Sequence, residues 1–174
     1  MNIYVTRRIP KEGLEMLKEA FGEFDMNPHD RVLTREELLN EIKGRDGVLS
    51  LLTDNMDAEA MDAIGSQCKV ISNYAVGYNN VRVDAASERG IMVTNTPGVL
   101  DDATADCAIS LLFSAARRIV ESDEYMRSEK FQGWAPMLLL GKEVTGATLG
   151  IIGAGRIGTN MAKKRAAFDM KILY

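Results

Sequence analysis

The chain has 174 residues, 46% hydrophobic and 26% charged, with a net charge of −4 and a pI near 5.1. That length suffices for one good core, or for one domain and part of another. The acidic balance argues against nucleic acid as a partner, since phosphate-binding surfaces carry a basic excess; it does not argue against a small anion held at one local site.

Asn2–Arg7 (NIYVTR) reads as a strand with two arginines close behind it, not as the apolar core of a signal peptide. Pro10–Phe21 follows as a helix, with Pro at its start and Leu14, Leu17 and Phe21 at helical spacing. Glu23–Met26 reads as a short strand. His29, the one histidine, sits in the turn-like cluster NPHD and is expected on a surface loop. In TREELLNEIKG, Thr34 is the N-cap, Glu37 takes the capping-box position and Gly44 is the stop. Asp46–Leu52 is a buried-type strand, Asp57–Ile64 a short helix, Lys69–Tyr74 a strand, Val83–Arg89 a helix and Ile91–Asn95 a strand. Strands alternating with helices imply a parallel sheet with helices on both faces, and short right-handed crossovers leave few topologies open. The class is α/β, and residues 1–98 read as a flavodoxin-like parallel-sheet domain.

Pro97 and Gly98 mark a boundary. From Asp101 the pattern is one long helix, acidic at its start and closing at Arg127. Ala105, Ala108, Ile109, Leu112, Ala116, Ile119 and Val120 line an apolar face wide enough to pack on more than one neighbour. Cys107 falls on this pattern. With Cys68 it forms no metal-type spacing, and both read as reduced, largely buried thiols. FQGWAPMLLLGKEVTG then reads as a loop with the only tryptophan, Trp134, and an apolar tip. That tip either folds back as core or docks on a second subunit. No apolar run approaches the roughly 20 residues of a membrane span, so no membrane contact and a cytoplasmic location are expected.

The last unit is a strand (Thr148–Ile152), a glycine turn, a helix (Arg156–Phe168) and a strand beginning at Lys171. The turn, Gly153-Ala-Gly155-Arg-Ile-Gly158, is GxGxxG between a strand and a helix, the context that points to a dinucleotide. Gly153 allows the tight turn, Gly155 lets backbone approach a pyrophosphate, and Gly158 lets the helix pack close. The helix N-terminus adds free N–H groups and a partial positive charge. An acidic residue about 20 positions on normally binds the adenosine ribose. Counted from Gly153 it falls just past Tyr174, so NAD and NADP stay undistinguished.

NYAVGYNNVRVDAASERGIMVTNTPGVLDDATAD and WAPMLLLGKEVTGATLGIIGAGRIG resemble the D-isomer-specific 2-hydroxyacid dehydrogenases, within them most nearly the glyoxylate and hydroxypyruvate reductases. The resemblance covers essentially the whole chain. It implies a substrate-binding domain over 1–98 and, over 99–174, a truncated Rossmann domain including the linking helix. It implies that Val76 and Gly77 offer backbone N–H groups to the substrate carboxylate. Leu52 would line the same cleft, and Leu100 would face it from the start of the long helix. Thr104 would touch the nicotinamide side of the cofactor. Gly153, Gly155, Arg156, Ile157 and Gly158 would hold the pyrophosphate of NAD or NADP. Independently of the resemblance, NYAVGYNN ends a parallel strand at its carboxyl end, where open α/β sheets bind ligands, and Gly77 is permissive there.

The resemblance also implies a small 2-oxo acid substrate, glyoxylate or hydroxypyruvate, and a homodimer. Two residues depart from the family pattern: Arg82 replaces an acidic residue, and Asp169 stands where a helix-ending Gly is usual. The family's arginine, glutamate and acid/base histidine would lie beyond residue 174, and His29 is in the wrong loop. The 174 residues alone are therefore expected to be inactive and weakly stable as a monomer. Alternatives are a 3-phosphoglycerate dehydrogenase-like member, or a non-catalytic nucleotide-binding or dimerising relative.

Overall fold

The computed structural model describes residues 1–174 and divides into two compact units, Met1–Pro97 and Gly98–Tyr174. The first contains β1 (Ile3–Val5), α1 (Lys11–Phe21), β2 (Asp25–Met26), α2 (Arg35–Glu41), β3 (Gly47–Ser50), α3 (Ala58–Ile64), β4 (Val70–Asn73), α4 (Val83–Glu88) and β5 (Met92–Thr94). All strand pairs are parallel, in the order β2-β1-β3-β4-β5. This is the α/β arrangement expected from the alternation of strands and helices. Each strand is two or three residues shorter than its sequence run, because the ladder ends where the strands diverge into turns.

Register places Tyr4, Val48 and Ile71 side by side on one face of the sheet. They share a core with Leu38 and Ile42 at α2, Met61 and Ile64 at α3, and Ala86 on α4. Contiguous apolar burial of this kind is the main favourable term in folding. By contrast, α1 fully buries none of its residues: Leu14 and Leu17 are partly covered and Phe21 is exposed.

The α2 start forms as its sequence spells it. Thr34 accepts from the Glu37 N–H, and the Glu37 carboxylate accepts from the Thr34 N–H at 2.8 Å. Arg31 adds two bonds to the same carboxylate, at 2.6 and 2.7 Å.

The second unit holds α5 (Asp101–Ala116), α6 (Ile119–Arg127), β6 (Thr148–Gly150), α7 (Arg156–Lys164), a 3-10 turn (Arg165–Phe168) and β7 (Lys171–Leu173). β6 and β7 pair in parallel. The one long helix expected over 101–127 is instead two. Arg118 adopts a left-handed conformation, φ 54°, and the carbonyl of Ala116 accepts from Lys142 N–H at 2.7 Å. The returning loop passes so close there that a side chain on Gly141 would meet the Ala116 carbonyl. A long-range backbone bond therefore ends the helix where nothing local does. The expected apolar face is only partly covered: Ala105 is buried, Ala108, Ile109, Leu112 and Ala116 are intermediate, and Ile119 and Val120 are exposed. Cys68 is buried but Cys107 is exposed, because the side of α5 that carries it is uncovered. The helix expected to run to Phe168 tightens into the 3-10 turn and stops at Asp169, φ 50°. No helix is long and apolar enough to cross a membrane.

Three outcomes follow from these caps. Thr34→Ala should cost about 1 kcal/mol in urea unfolding, the usual loss on removing an N-cap hydroxyl. Asp169→Gly should gain a few tenths to about 1 kcal/mol, since Gly takes the left-handed cap without a Cβ penalty. Hydrogen bonds from Arg31, then from the Thr34 N–H, hold the Glu37 carboxyl down at about 2. A depressed carboxyl contributes stability that is complete above its unfolded pKa of about 4.3 and is lost as pH falls toward its folded value. The stability gap between the parent and Glu37→Gln should therefore be flat at neutral pH and close as pH falls from about 4 to 2, measured by urea unfolding at each pH.

Candidate functional site

Parallel strands deliver their carboxyl ends to one edge, where ligands of open α/β sheets bind. In the first unit that edge carries all five buried polar side chains: Thr6 after β1, Asn27 after β2, Ser50 and Asp54 at the end of β3, and Asn73 at the end of β4. Each has a partner. Thr6 Oγ1 donates to Asp54 Oδ2 at 2.5 Å, and the same oxygen accepts from Leu51 N–H at 2.8 Å. Asn27 Nδ2 donates to the carbonyls of Thr6 and Arg31. Ser50 Oγ donates to Asn73 Oδ1 at 3.2 Å. Buried polar groups persist only when paired in this way.

The network supports two turns. Leu52 stands on the first, after β3, and is 66% exposed. Val76 and Gly77 stand on the second, after β4. There the carbonyls of Ala75, Val76 and Gly77 are all taken, by Thr96 N–H at 2.9 Å, Asn95 Nδ2 at 2.8 Å and Asn73 Nδ2 at 2.9 Å. The N–H groups of Val76 and Gly77 have no acceptor in the chain. The space beside Gly77 is open where a Cβ would stand. Two adjacent free N–H groups on an anchored turn form a place for an anion.

His29 lies elsewhere on the same edge. Its N–H closes a turn onto Asn27 Oδ1 at 2.9 Å, and its ring is exposed. It follows β2, which β1 and β3 separate from β4. At about 4.8 Å per strand that is roughly 14 Å from the Val76–Gly77 turn, too far for proton transfer to a molecule bound there.

In the second unit the glycine turn runs from β6 into α7. Gly153 has φ 93°, a conformation that favours glycine. A Cβ on Gly158 would collide with the Gly153 carbonyl oxygen, so this residue sets how closely α7 meets the turn. Gly155 is the N-cap; nothing surrounds the place of its missing Cβ. No side chain caps α7, and its first turn holds Arg156 and no acid. Its leading N–H groups are therefore left for an anion. The basic end of α7 is paired: Lys164 Nζ meets Asp106 at 2.6 Å, which holds the ammonium pKa above its ordinary value. Asn160 Nδ2 meets Asp102 at 2.6 Å. These contacts, and the Phe113–Phe168 ring pair at 4.7 Å, seat α5 against α7 and the 3-10 turn after it. Leu100 is the residue before α5 and Thr104 lies in its first turn, both exposed; Ile157 is half-buried.

Sequence reasoning missed the supporting amides, Asn73 and Asn80, and the carboxylate of Asp54. A partial signal was present: Thr6 ends the run IYV, Ser50 interrupts VLSLL and Asn73 follows VIS, where uninterrupted burial would favour another apolar residue.

The profile of the family described as "D-isomer specific 2-hydroxyacid dehydrogenase, catalytic domain" matches residues 3–170. The chain is 46% identical over 173 residues to the glyoxylate reductase of Korarchaeum cryptofilum, covering 99% of this chain and 52% of that protein. It is thus similar to curated relatives of which it spans about half the length. Among solved structures, the TT0316 protein from Thermus thermophilus superposes with a TM-score of 0.92 at 42% identity, over all of this chain and 55% of that one. An acyclic imino acid reductase solved with NADPH and D-Arg superposes with a TM-score of 0.80 at 25% identity, over 98% of this chain and 54% of that one.

Two glycines of the turn should separate in their effects on stability. Gly158→Ala should destabilise the second unit by about 1–3 kcal/mol through overpacking. Gly155→Ala should leave thermal unfolding within about 0.5 kcal/mol of the parent, having no neighbour to meet.

Proposed function

The chain belongs to the D-isomer specific 2-hydroxyacid dehydrogenases, and on that premise we propose that it forms the N-terminal portion of an NAD(P)H-dependent 2-oxo acid reductase acting on glyoxylate or hydroxypyruvate. The observation that carries this reading is the pair of unpartnered N–H groups on Val76 and Gly77, on a turn whose carbonyls are all occupied. They match the carboxylate common to all such substrates. Leu52 supplies an apolar wall beside it. The first unit is then the substrate-binding domain and the second the beginning of the dinucleotide-binding domain.

The residues of the glycine turn fit a dinucleotide. The place of the missing Gly155 Cβ is open, the α7 N-terminus is uncapped, and Arg156 is the only charge in its first turn. Gly153, Gly155, Arg156, Ile157 and Gly158 would hold the pyrophosphate mainly through backbone, and Thr104 would touch the nicotinamide side of the cofactor. When bound, the nicotinamide supplies the hydride for reduction of the keto carbon. The chain's own part is to fix the substrate carboxylate and the phosphates. His29, the one histidine, is remote from the anion turn and is no candidate for the proton donor that ketone reduction requires. Binding without turnover is therefore the expected behaviour of these 174 residues alone.

Exposed apolar side chains on α5, α6 and the following loop, including Leu111, Ile119, Val120, Trp134 and Met137, fit a homodimer contact.

Fluorescence titration with NADH and NADPH tests the cofactor reading. The parent should bind at least one of them, and Gly155→Ala should bind at least tenfold more weakly with its fold intact. Equal affinity in the two chains would sink the assignment. Sedimentation at micromolar concentration should show a dimer; a well-folded monomer would contradict the proposed contact.

A further inference from the structure

The two turns at the carboxyl edge of the first sheet are not independent. Asn80 Nδ2 lies 3.0 Å from the Leu51 carbonyl, 3.0 Å from the Asp54 carbonyl and 3.1 Å from Asn73 Oδ1. Asn73 Nδ2 in turn donates to the Gly77 carbonyl at 2.9 Å and to Asn80 Oδ1 at 3.2 Å. The two amides face each other, and each reaches backbone with what remains of its bonding capacity. Backbone bonds continue the seam: Met56 N–H donates to the Asn80 carbonyl at 2.8 Å, and Arg82 N–H to the Met56 carbonyl at 2.9 Å. A single parallel bridge, Met56 to Val81, extends it. Below the first turn, Asp54 is fastened to Thr6 after β1.

We infer that Asn73 and Asn80 are positioning residues that lock the Leu51–Met56 turn to the Val76–Gly77 turn, so that the wall and the anion-binding N–H groups of the site form one rigid body. The assignment rests on the reading of Val76 and Gly77 as the carboxylate cradle. Neither amide touches the substrate. Asn73 works from below, holding the Gly77 carbonyl and so the tilt of the peptide planes around it. Asn80 works sideways, holding two carbonyls of the neighbouring turn. A side chain of Asn80's shape but without its N–H donors would set oxygen against oxygen at Leu51 and Asp54. The turns would then part, and the cradle would lose its wall and its fixed orientation together. Preorganisation of this kind governs affinity without adding any contact to the ligand.

The test uses the 174-residue chain and two substitutions. Asn80→Asp keeps the shape and replaces donors by acceptors; Asn80→Ser removes the amide without adding charge. Amide hydrogen exchange read residue by residue should be at least tenfold faster in both variants at Asp54 and Met56 on one turn, and at Ala75 and Val81 on the other. Val48 and Ile71, within β3 and β4, should be unchanged, which shows that the sheet remains folded. Faster exchange on one turn only, or on neither, would overturn the coupling. If Asn80→Asp also loosens the strands, Asn80→Ser decides by the same criterion. Titration with sodium glyoxylate, read at the Val76 and Gly77 amides, should show at least fivefold weaker binding in the variants than in the parent, with affinity for the nicotinamide cofactor unchanged. Absence of any glyoxylate response in the parent would refute the carboxylate reading itself, while the exchange data would still decide the coupling.

Discussion

In a sheet whose strands all run the same way, every strand releases its backbone into turns at one edge, and each released carbonyl and N–H needs a partner. The first unit answers with side chains. Thr6, Asn27, Ser50, Asp54 and Asn73 are buried at that edge, where the rest of the interior is apolar. Their bonds consume the acceptors and leave particular donors free. The anion turn at Val76 and Gly77 is a product of this accounting: with its carbonyls occupied, only its N–H groups remain. The same bonds explain why the turns can be short and still hold their shape, since a half-satisfied network would cost more than an apolar edge.

The second unit solves a similar problem without side chains. Around Gly153–Gly158 the requirement is closeness. A Cβ on Gly158 would collide with the Gly153 carbonyl, and the place of Gly155's missing Cβ is kept clear. The helix that follows has no capping side chain and no acid in its first turn. Here too the result is exposed N–H groups, reached by omission where the first unit reaches them by occupation. Two anion sites built from backbone are consistent with a substrate carboxylate and a dinucleotide pyrophosphate. Backbone donors carry no charge of their own, so neither site conflicts with an acidic chain.

Much of this was legible in the residues. The alternation of β-rich runs with helical spacing led directly to the parallel sheet. The capping box at Thr34 and Glu37 formed where its residue types placed it. GxGxxG was readable because its meaning is local: three glycines within six residues bend one turn. Where the signal was non-local, reading stopped. The break at Arg118 depends on Lys142, 24 residues later, and the helix itself carries no Gly or Pro at the break to announce it. The exposure of Cys107 and Val120 depends on what covers α5 and α6, which helical spacing cannot state. Apolar spacing says that a face seeks cover, not that the cover lies within the same chain.

By itself, then, the sequence determined the class of fold, the order of the first unit's elements, the capped start of α2 and the dinucleotide-type turn. All of these follow from interactions within a few residues, where chain connectivity supplies the geometry. The tertiary structure alone decided which backbone donors stay free, because Asn73, Asn80 and Asp54 acquire their partners only when β1, β3 and β4 lie side by side. Residues 6 and 54, or 51 and 80, are distant along the chain and meet only after strand pairing has set the register. A hydrogen bond across such a distance has no periodicity and no spacing rule, so it cannot be read before the fold that makes it.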